Sequence, residues 1–254
     1  IALTACNAGS KRQTNHHLEN KAAIDHRQEA IRELSTDLGY RQQIRLLGLL
    51  YKGKPADTTE IKEWATSPSY YRKRTLLRIL PIAVTVINFL CISLAILGII
   101  STNIAGGVFV SFVLFSTIFS KGITKLQTTY GEKLQILSTY ADQILLTEQK
   151  EMHSHILQEL KTDLTSQNQT ASQAVRQLSK LMNALDQRSN LLMSTILNGL
   201  IFWELRQVMR IEKWKEIHAS DLPRWIETIG EIDAYCSLAT FAYNHPDYIY
   251  PTIA

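Results

Sequence analysis

Charge is missing from one long stretch of this chain: between Arg78 and Lys121 there is no Asp, Glu, Lys, Arg or His. A helix needs about 20 such residues to cross a bilayer core, whereas uncharged buried helices of soluble proteins usually stop near 10 to 14. Cysteine is scarce as well. Cys6, Cys91 and Cys236 are odd in number, far apart and without CxxC spacing, which argues against a disulfide framework and a zinc site and fits a reducing cytoplasm. Catalytic signatures are also missing. There is no GxSxG, no HExxH and no GxxxxGK[ST], Gly48 to Lys54 being expected to lack its spacing; no nucleophile elbow, zincin helix or phosphate-cradling loop is therefore expected. His16-His17 and the pair His153 and His155 do not share a face on a regular element, so metal binding is not expected there. Asp221, Glu227, Glu231 and Asp233 read as a solvated helix face with one cap. No alternating strand pattern appears before the last few residues, and the class is all-α.

What is present is organised around the uncharged stretch. Ile79 to Ile100 is a full first span, with Pro81 expected in its opening turn, where the missing N–H costs little. Ser101-Thr102-Asn103 and Gly106-Gly107 supply turn formers, and a second span returns over about 104–120. The alternative is a buried helical hairpin inside a soluble core. Asn88 is the one intramembrane polar residue singled out, because a membrane Asn bonds a neighbouring helix for roughly 1 kcal/mol; hairpin packing or dimerisation is its expected use.

The flanks are basic. Arg72, Lys73, Arg74 and Arg78 precede the hairpin and Lys121 and Lys125 follow it, while the connecting turn carries no charge. The positive-inside rule then keeps both ends in the cytoplasm, giving a multi-pass protein of the cytoplasmic membrane with the lipid bilayer as its first partner. The whole chain of 254 residues has a formal net charge of only +4, and an excess placed beside a membrane suits anionic headgroups at least as well as nucleic acid. Tyr70 and Tyr71 stand where amphipathic rings suit the interface, or where two half-buried tyrosines start a helix. The sequence opens on Ile1 rather than Met and Leu3-Thr4-Ala5-Cys6 lacks the segments that precede a lipoprotein box, so the chain is expected to be a fragment.

The rest reads as helices. Ile24, Ile31, Leu34 and Leu38, then Ile44, Leu46, Leu47 and Leu50, give amphipathic spacing with a break expected at Gly39. Asp57-Thr58-Thr59-Glu60 has capping-box spacing for a short helix through Trp64. Leu126 to Leu164 reads as one or two long helices leaving the membrane, and 165–172 as a loop. A helix from Ser172 to Glu216 contains the block Leu191 to Trp203, too short to cross a bilayer and expected to be a fully buried core helix. A last helix is capped by Asp221, tolerates Pro223 in its first turn and stops at Asn244-His245-Pro246-Asp247; Tyr248 to Ile253 follows as an extended tail. Three segments result: amino-terminal helices 1–78, a transmembrane hairpin 79–120, and long helices with a carboxy-terminal core, 121–254.

The run from Leu197 to Pro251 (LNGLIFWELRQVMRIEKWKEIHASDLPRWIETIGEIDAYCSLATFAYNHPDYIYP) resembles the final core helices of the MutS family of DNA mismatch repair ATPases, in its membrane-anchored branch. The run from Ile24 to Leu50 (IDHRQEAIRELSTDLGYRQQIRLLGLL) is similar to the opening of the same core, with its "I..RQ.AI.EL" pattern. The resemblance implies a helical core and lever module interrupted by two membrane spans. It further implies a following ATPase domain that binds ATP and Mg, dimerises, and couples its state to DNA. The Walker motifs would lie beyond Ala254, so no catalytic residue is carried over, and the family's mismatch-reading domain has no counterpart here. The competing reading is a membrane-tethered helical scaffold or signalling module without nucleotide or DNA function.

Overall fold

The computed structural model describes residues 21–50, 58–135, 137–165, 170–186 and 191–252. The segment 1–20 with Cys6 and His16-His17, and the proposed cap Asp57, lie outside the described residues. Among the described residues the regular elements are eleven helices, with one isolated bridge between Thr165 and Thr170. They are α1 (Lys21–Thr36), α2 (Leu38–Leu50), α3 (Thr58–Thr66), α4 (Thr75–Ile96), α5 (Thr102–Gln135), α6 (Leu137–Gln149), α7 (His155–Asp163), α8 (Ala171–Asp186), α9 (Leu191–Ile201), α10 (Trp203–His218) and α11 (Leu222–Asn244). The all-α class is the observed one.

Packing divides the chain into two compact units, the first from residues 1–65, 136–177 and 219–254 and the second from 66–135 and 178–218. Within each unit, helices distant along the chain return to pack on one another. In the first unit α11 packs against α1, α2, α6 and α7, and α2 against α6. The apolar stripe of α11 supplies buried Trp225, Ile226, Ile229, Ile232, Cys236 and Ala239, facing Ala30, Leu34, Tyr40, Ile144 and Leu157 among others. Burying each such aliphatic or aromatic side chain is worth about 1.5 to 3 kcal/mol.

Several boundaries fall where polar groups, and not glycines, place them. The break between α1 and α2 is at Asp37, two residues before Gly39, because the Asp37 carboxylate accepts the Tyr40 N–H at 2.9 Å and so caps α2. Lys150 also pairs with Asp37. Of the helices after the apolar hairpin, α6 stops at Gln149, and α7 begins where the Glu33 carboxylate accepts the N–H groups of His153 (2.9 Å) and Ser154 (2.7 Å). His155 stacks beside His26, with ring centroids 5.2 Å apart. Asp221 stands at the α11 N-cap but makes no side-chain cap bond; Ser220 Oγ occupies its carboxylate at 3.3 Å. Glu227 pairs with Lys62, and Asp233, expected on a solvated face, is buried.

Inside this unit, Tyr40 OH meets Thr147 Oγ1 at 2.9 Å and Gln143 Nε2 donates to Ile44 O at 3.1 Å, tying α2 to α6. Burial pushes the Tyr40 hydroxyl and the Cys236 thiol far above their ordinary pKa values, so both remain protonated. The bond from Lys150, with the Tyr40 N–H, holds Asp37 below the ordinary carboxylate range. Burial alone would raise Glu33, but the His153 and Ser154 N–H groups outweigh it and lower its pKa. Both carboxyls are depressed in the folded state, so the stability they contribute is present above about pH 4.5 and is lost as pH falls through their lowered values. Urea midpoints measured from pH 7 to 3 are expected to fall below that point, and Glu33→Gln to flatten the fall; a pH profile unchanged by the substitution would remove Glu33 from the account.

Candidate functional site

The second unit contains the only two described helices long and apolar enough to cross a membrane, Thr75–Ile96 and Thr102–Phe119, the latter being the first part of α5. They face outward. Only 17% of the most apolar window of α4 and 6% of that of α5 is buried, which separates them from the core helix of a soluble protein. Ile82, Val86, Phe89 and Leu90 on α4 and Val110, Leu114 and Ile118 on α5 are all exposed. An uncovered apolar surface of this extent marks an interaction with lipid or another apolar partner.

The helix ends differ from those read off the sequence. α4 starts at Thr75, so Pro81 sits inside the helix instead of in its opening turn. The reversal is made at Leu97 to Ser101, where Gly98 adopts φ 74°, a left-handed conformation that glycine reaches without Cβ strain. The Gly98 N–H returns to Ala95 O at 3.1 Å and the Ile99 N–H to Leu94 O at 3.0 Å. Gly106 and Gly107, expected in the turn, are helical residues of α5 with open space where a side chain would stand. The second helix continues without a break to Gln135.

Asn88 lies on the inner face of α4 with Pro81 and Val84, and is 2% exposed. Its Nδ2 donates to the carbonyls of Gly199 (2.9 Å) and Leu200 (3.2 Å) in α9. The block that the sequence marks as a fully buried core helix is therefore different in kind. α9 packs along α5 and α4 on one side and leaves Leu192 (79%), Met193 and Ile196 exposed on the other, so it adds to the outward apolar surface. Gly199 makes the close approach possible, because a Cβ there would run into the Phe109 ring and Val113.

The helix expected to run from Ser172 to Glu216 is interrupted at Phe202, whose φ is 52°, while 187–190 lie outside the described residues. A non-glycine residue held there costs roughly 1 to 2 kcal/mol, and its ring is clamped by Phe112, Phe115 and Phe119 at centroid distances of 6.1 to 6.4 Å. The groups freed by the break are satisfied. Asn88 takes two carbonyls, and Asn198 Oδ1 accepts the Glu204 N–H at 3.0 Å. Ser194 Oγ donates to the buried Glu204 carboxylate at 3.1 Å.

At the base of α4 the basic residues named from the sequence part company. Arg72 pairs with Glu216 at 2.7 Å, and Arg74 lies 4.6 Å above the Tyr70 ring. Lys73 is exposed. Lys121 and Lys125 fall in α5, with side chains outside the described residues. Of the two tyrosines, Tyr70 is exposed and Tyr71 buried. The Glu212 carboxylate accepts the N–H groups of Tyr70, Tyr71 and Arg72 at 2.8, 3.1 and 2.6 Å, anchoring the entry to α4 on α10. Burial, and then the Glu212 charge, raise the Tyr71 pKa.

Arg78 lines a cavity of about 250 Å³ between α4 and the α9–α10 junction, together with Pro81, Ile82, Trp203, Arg206 and Arg210. A second, wider groove of about 610 Å³ lies in the first unit. Its aromatic lining is spent internally: His245 and Tyr248 stack at 4.8 Å, Arg32 covers Tyr250, and Gln28 Nε2 holds Pro251 O at 2.8 Å, so the tail folds back on α1. Gly48 to Lys54 keeps phosphate-loop spacing, but Pro55 replaces the Ser or Thr and a helix, not a strand, leads into it. No group of three His, Cys, Asp or Glu arranged to hold a metal occurs among the described residues. No family model, curated protein or solved structure matches the chain.

The packing of α9 on the hairpin generates a paired expectation. Gly199→Ala is expected to destabilise the second unit by about 1 to 3 kcal/mol through overpacking, whereas Gly106→Ala, in open space on a helix, is expected to be neutral or to stabilise by up to about 1 kcal/mol. Unfolding in lipid-like micelles distinguishes the two; equal effects would refute the close approach.

Proposed function

We propose that the chain is the membrane-anchored core and lever module of a MutS-like ATPase, with the α4–α5 hairpin crossing the cytoplasmic membrane and both ends in the cytoplasm. The anchor rests on the outward apolar faces of α4 and α5. The lever assignment rests on one observation: the two runs that resemble the MutS-like core belong to opposite ends of the chain, and their helices α1 and α11 pack directly on each other. A single core built from both runs requires them to meet, and this packing supports the reading. Gln28 Nε2 to Pro251 O at 2.8 Å and Arg41 Nη1 to Thr240 Oγ1 at 3.0 Å join them further.

In this reading the chain itself performs no chemistry. Nucleotide binding, with ATP and Mg, and dimerisation belong to a domain following Ala254, and the long helices carry its motion to DNA or to the membrane. DNA contacts would come from Lys and Arg on exposed helix faces to phosphates, which position without reading sequence.

Two measurements test the halves of this reading. A cysteine introduced at Asn103, in a variant lacking native thiols, is expected to be labelled only from the non-cytoplasmic side; labelling from the cytoplasm would end the two-span arrangement. Duplex DNA binding that weakens steeply with salt, together with a strand followed by GxxxxGK[ST] in the coding sequence after Ala254, is expected on the MutS-like reading. Membrane retention with neither of these would leave a membrane-tethered helical scaffold.

A further inference from the structure

The cavity at the base of the hairpin is lined by three arginines and by no carboxylate. Arg78 enters from α4, and Arg206 and Arg210 from successive turns of α10. Their nearest acidic neighbours along α10 are otherwise engaged: Glu204 with Ser194, Glu212 with three backbone N–H groups, and Glu216 with Arg72. Neither the Arg78 nor the Arg210 side chain has an ion pair or hydrogen bond among the described residues. Arg78 and Arg210 are exposed, so a cavity lined by three arginines and no carboxylate presents uncompensated positive charge that favours an anion.

Arg206 is held in place for such a role. Its Nη2 donates to Pro81 O at 3.0 Å and to Thr85 Oγ1 at 2.7 Å, while its Nε is buried without a partner among the described residues. Pro81 contributes through its position inside α4, and the Thr85 hydroxyl also donates to the same carbonyl at 2.6 Å. With Nη2 spent inside the protein, the fixed guanidinium keeps its Nη1 donors and its charge for a phosphate oxygen.

The surroundings select among phosphate-bearing ligands. Ile82 on the cavity wall belongs to the exposed apolar face of α4, and Ile201, Trp203 and Met209 complete an apolar rim. The cavity lies at the level where the apolar helix meets its basic flank, the depth of a headgroup when the hairpin spans a bilayer. A volume of about 250 Å³ is below the range of about 300 to 1,000 Å³ typical of drug-sized ligand sites, and it suits one headgroup with its acyl chains left outside.

We infer that Arg78, Arg206 and Arg210 form a binding site for the phosphate headgroup of an anionic phospholipid in the cytoplasmic leaflet, its chains running along the exposed face of α4 past Ile82. This rests on the membrane-anchor reading. The site makes the base of the hairpin a lipid-selective contact in addition to an apolar plug.

The test is electron spin resonance of the full chain reconstituted in phosphatidylcholine bilayers, with a trace of chain-labelled phosphatidylglycerol or phosphatidylcholine. The motionally restricted fraction is expected to show a preference for phosphatidylglycerol of about fivefold or more, given the typical contribution of one basic residue near a charged surface. Arg78→Gln combined with Arg210→Gln is expected to bring the preference close to 1, and these substitutions remove no internal bond. Lys73→Gln is the control and is expected to keep most of it. An undiminished preference in the double variant, or an equal loss in the control, would overturn the site in favour of diffuse surface charge. Loss of the preference on adding millimolar inorganic phosphate would reassign the pocket to free phosphate and overturn the lipid assignment. No restricted lipid of either kind would instead refute the anchor itself, an outcome distinct from restricted lipid without headgroup preference, which sinks only the pocket.

Discussion

A helix that ends packed against apolar helices leaves carbonyls without water to bond, and the second unit depends on how that is solved at Gly199 and Leu200. Water satisfies such groups at an ordinary helix end; in hydrocarbon each one left unsatisfied costs several kcal/mol. The Asn88 carboxamide supplies both bonds from the middle of α4. Three further features follow from it. Gly199 must lack a side chain for α9 to come close enough, Phe202 must turn through a left-handed conformation, and Asn198 must start α10 by accepting the Glu204 N–H. The aromatic rings of α5 around Phe202 hold a backbone shape that local preference disfavours.

Toward the base of α4 the dominant physics changes from apolar contact to charge. Glu212 gathers three backbone N–H groups at the entry to the helix, a carboxylate doing at Tyr70 to Arg72 what a phosphate would do in an anion-binding turn. Arg72 and Arg74 are then neutralised or stacked within the protein, whereas Arg78 and Arg210 are left facing a cavity. Basic residues that look equivalent as a flanking cluster therefore divide into structural and ligand-facing ones. Lys215 belongs to the structural set: burial lowers its pKa, and it donates to Ser67 Oγ at 2.8 Å.

The first unit is built on a different principle, the meeting of chain ends. α11 is a long helix buried on nearly all sides over its middle, and α1, α2, α6 and α7 pack around it. Carboxylates organise the junctions: Asp37 caps α2, Glu33 caps α7, and Glu148 accepts the Ser172 N–H at 3.1 Å at the start of α8. A module held by helix caps and one central helix is suited to transmit force along its helices, which is the mechanical role proposed for it.

The all-α class, the apolar hairpin and the final helix were legible in the sequence, because each rests on a local regularity: 3.6-residue spacing, absence of charge over two spans, and Pro223 near the start of α11 with His245-Pro246 at its end. Asn88 was also legible, since a lone amide in an apolar helix needs a partner. Its partner was not, because the acceptors lie more than a hundred residues away and carry no side-chain signal. The same limit explains the other differences. Glu33 caps a helix 120 positions on, and so the break before α7 leaves no local trace. Leu191 to Trp203 is equally apolar whether surrounded by protein or laid against a hairpin. The turn at Gly98 was misplaced to Gly106-Gly107 because glycine permits a reversal without demanding one. Local periodicity thus determined which segments are helices and which of them avoid water, while only the tertiary structure decided which helix covers which face, where the buried carbonyls find donors, and which three arginines line one cavity.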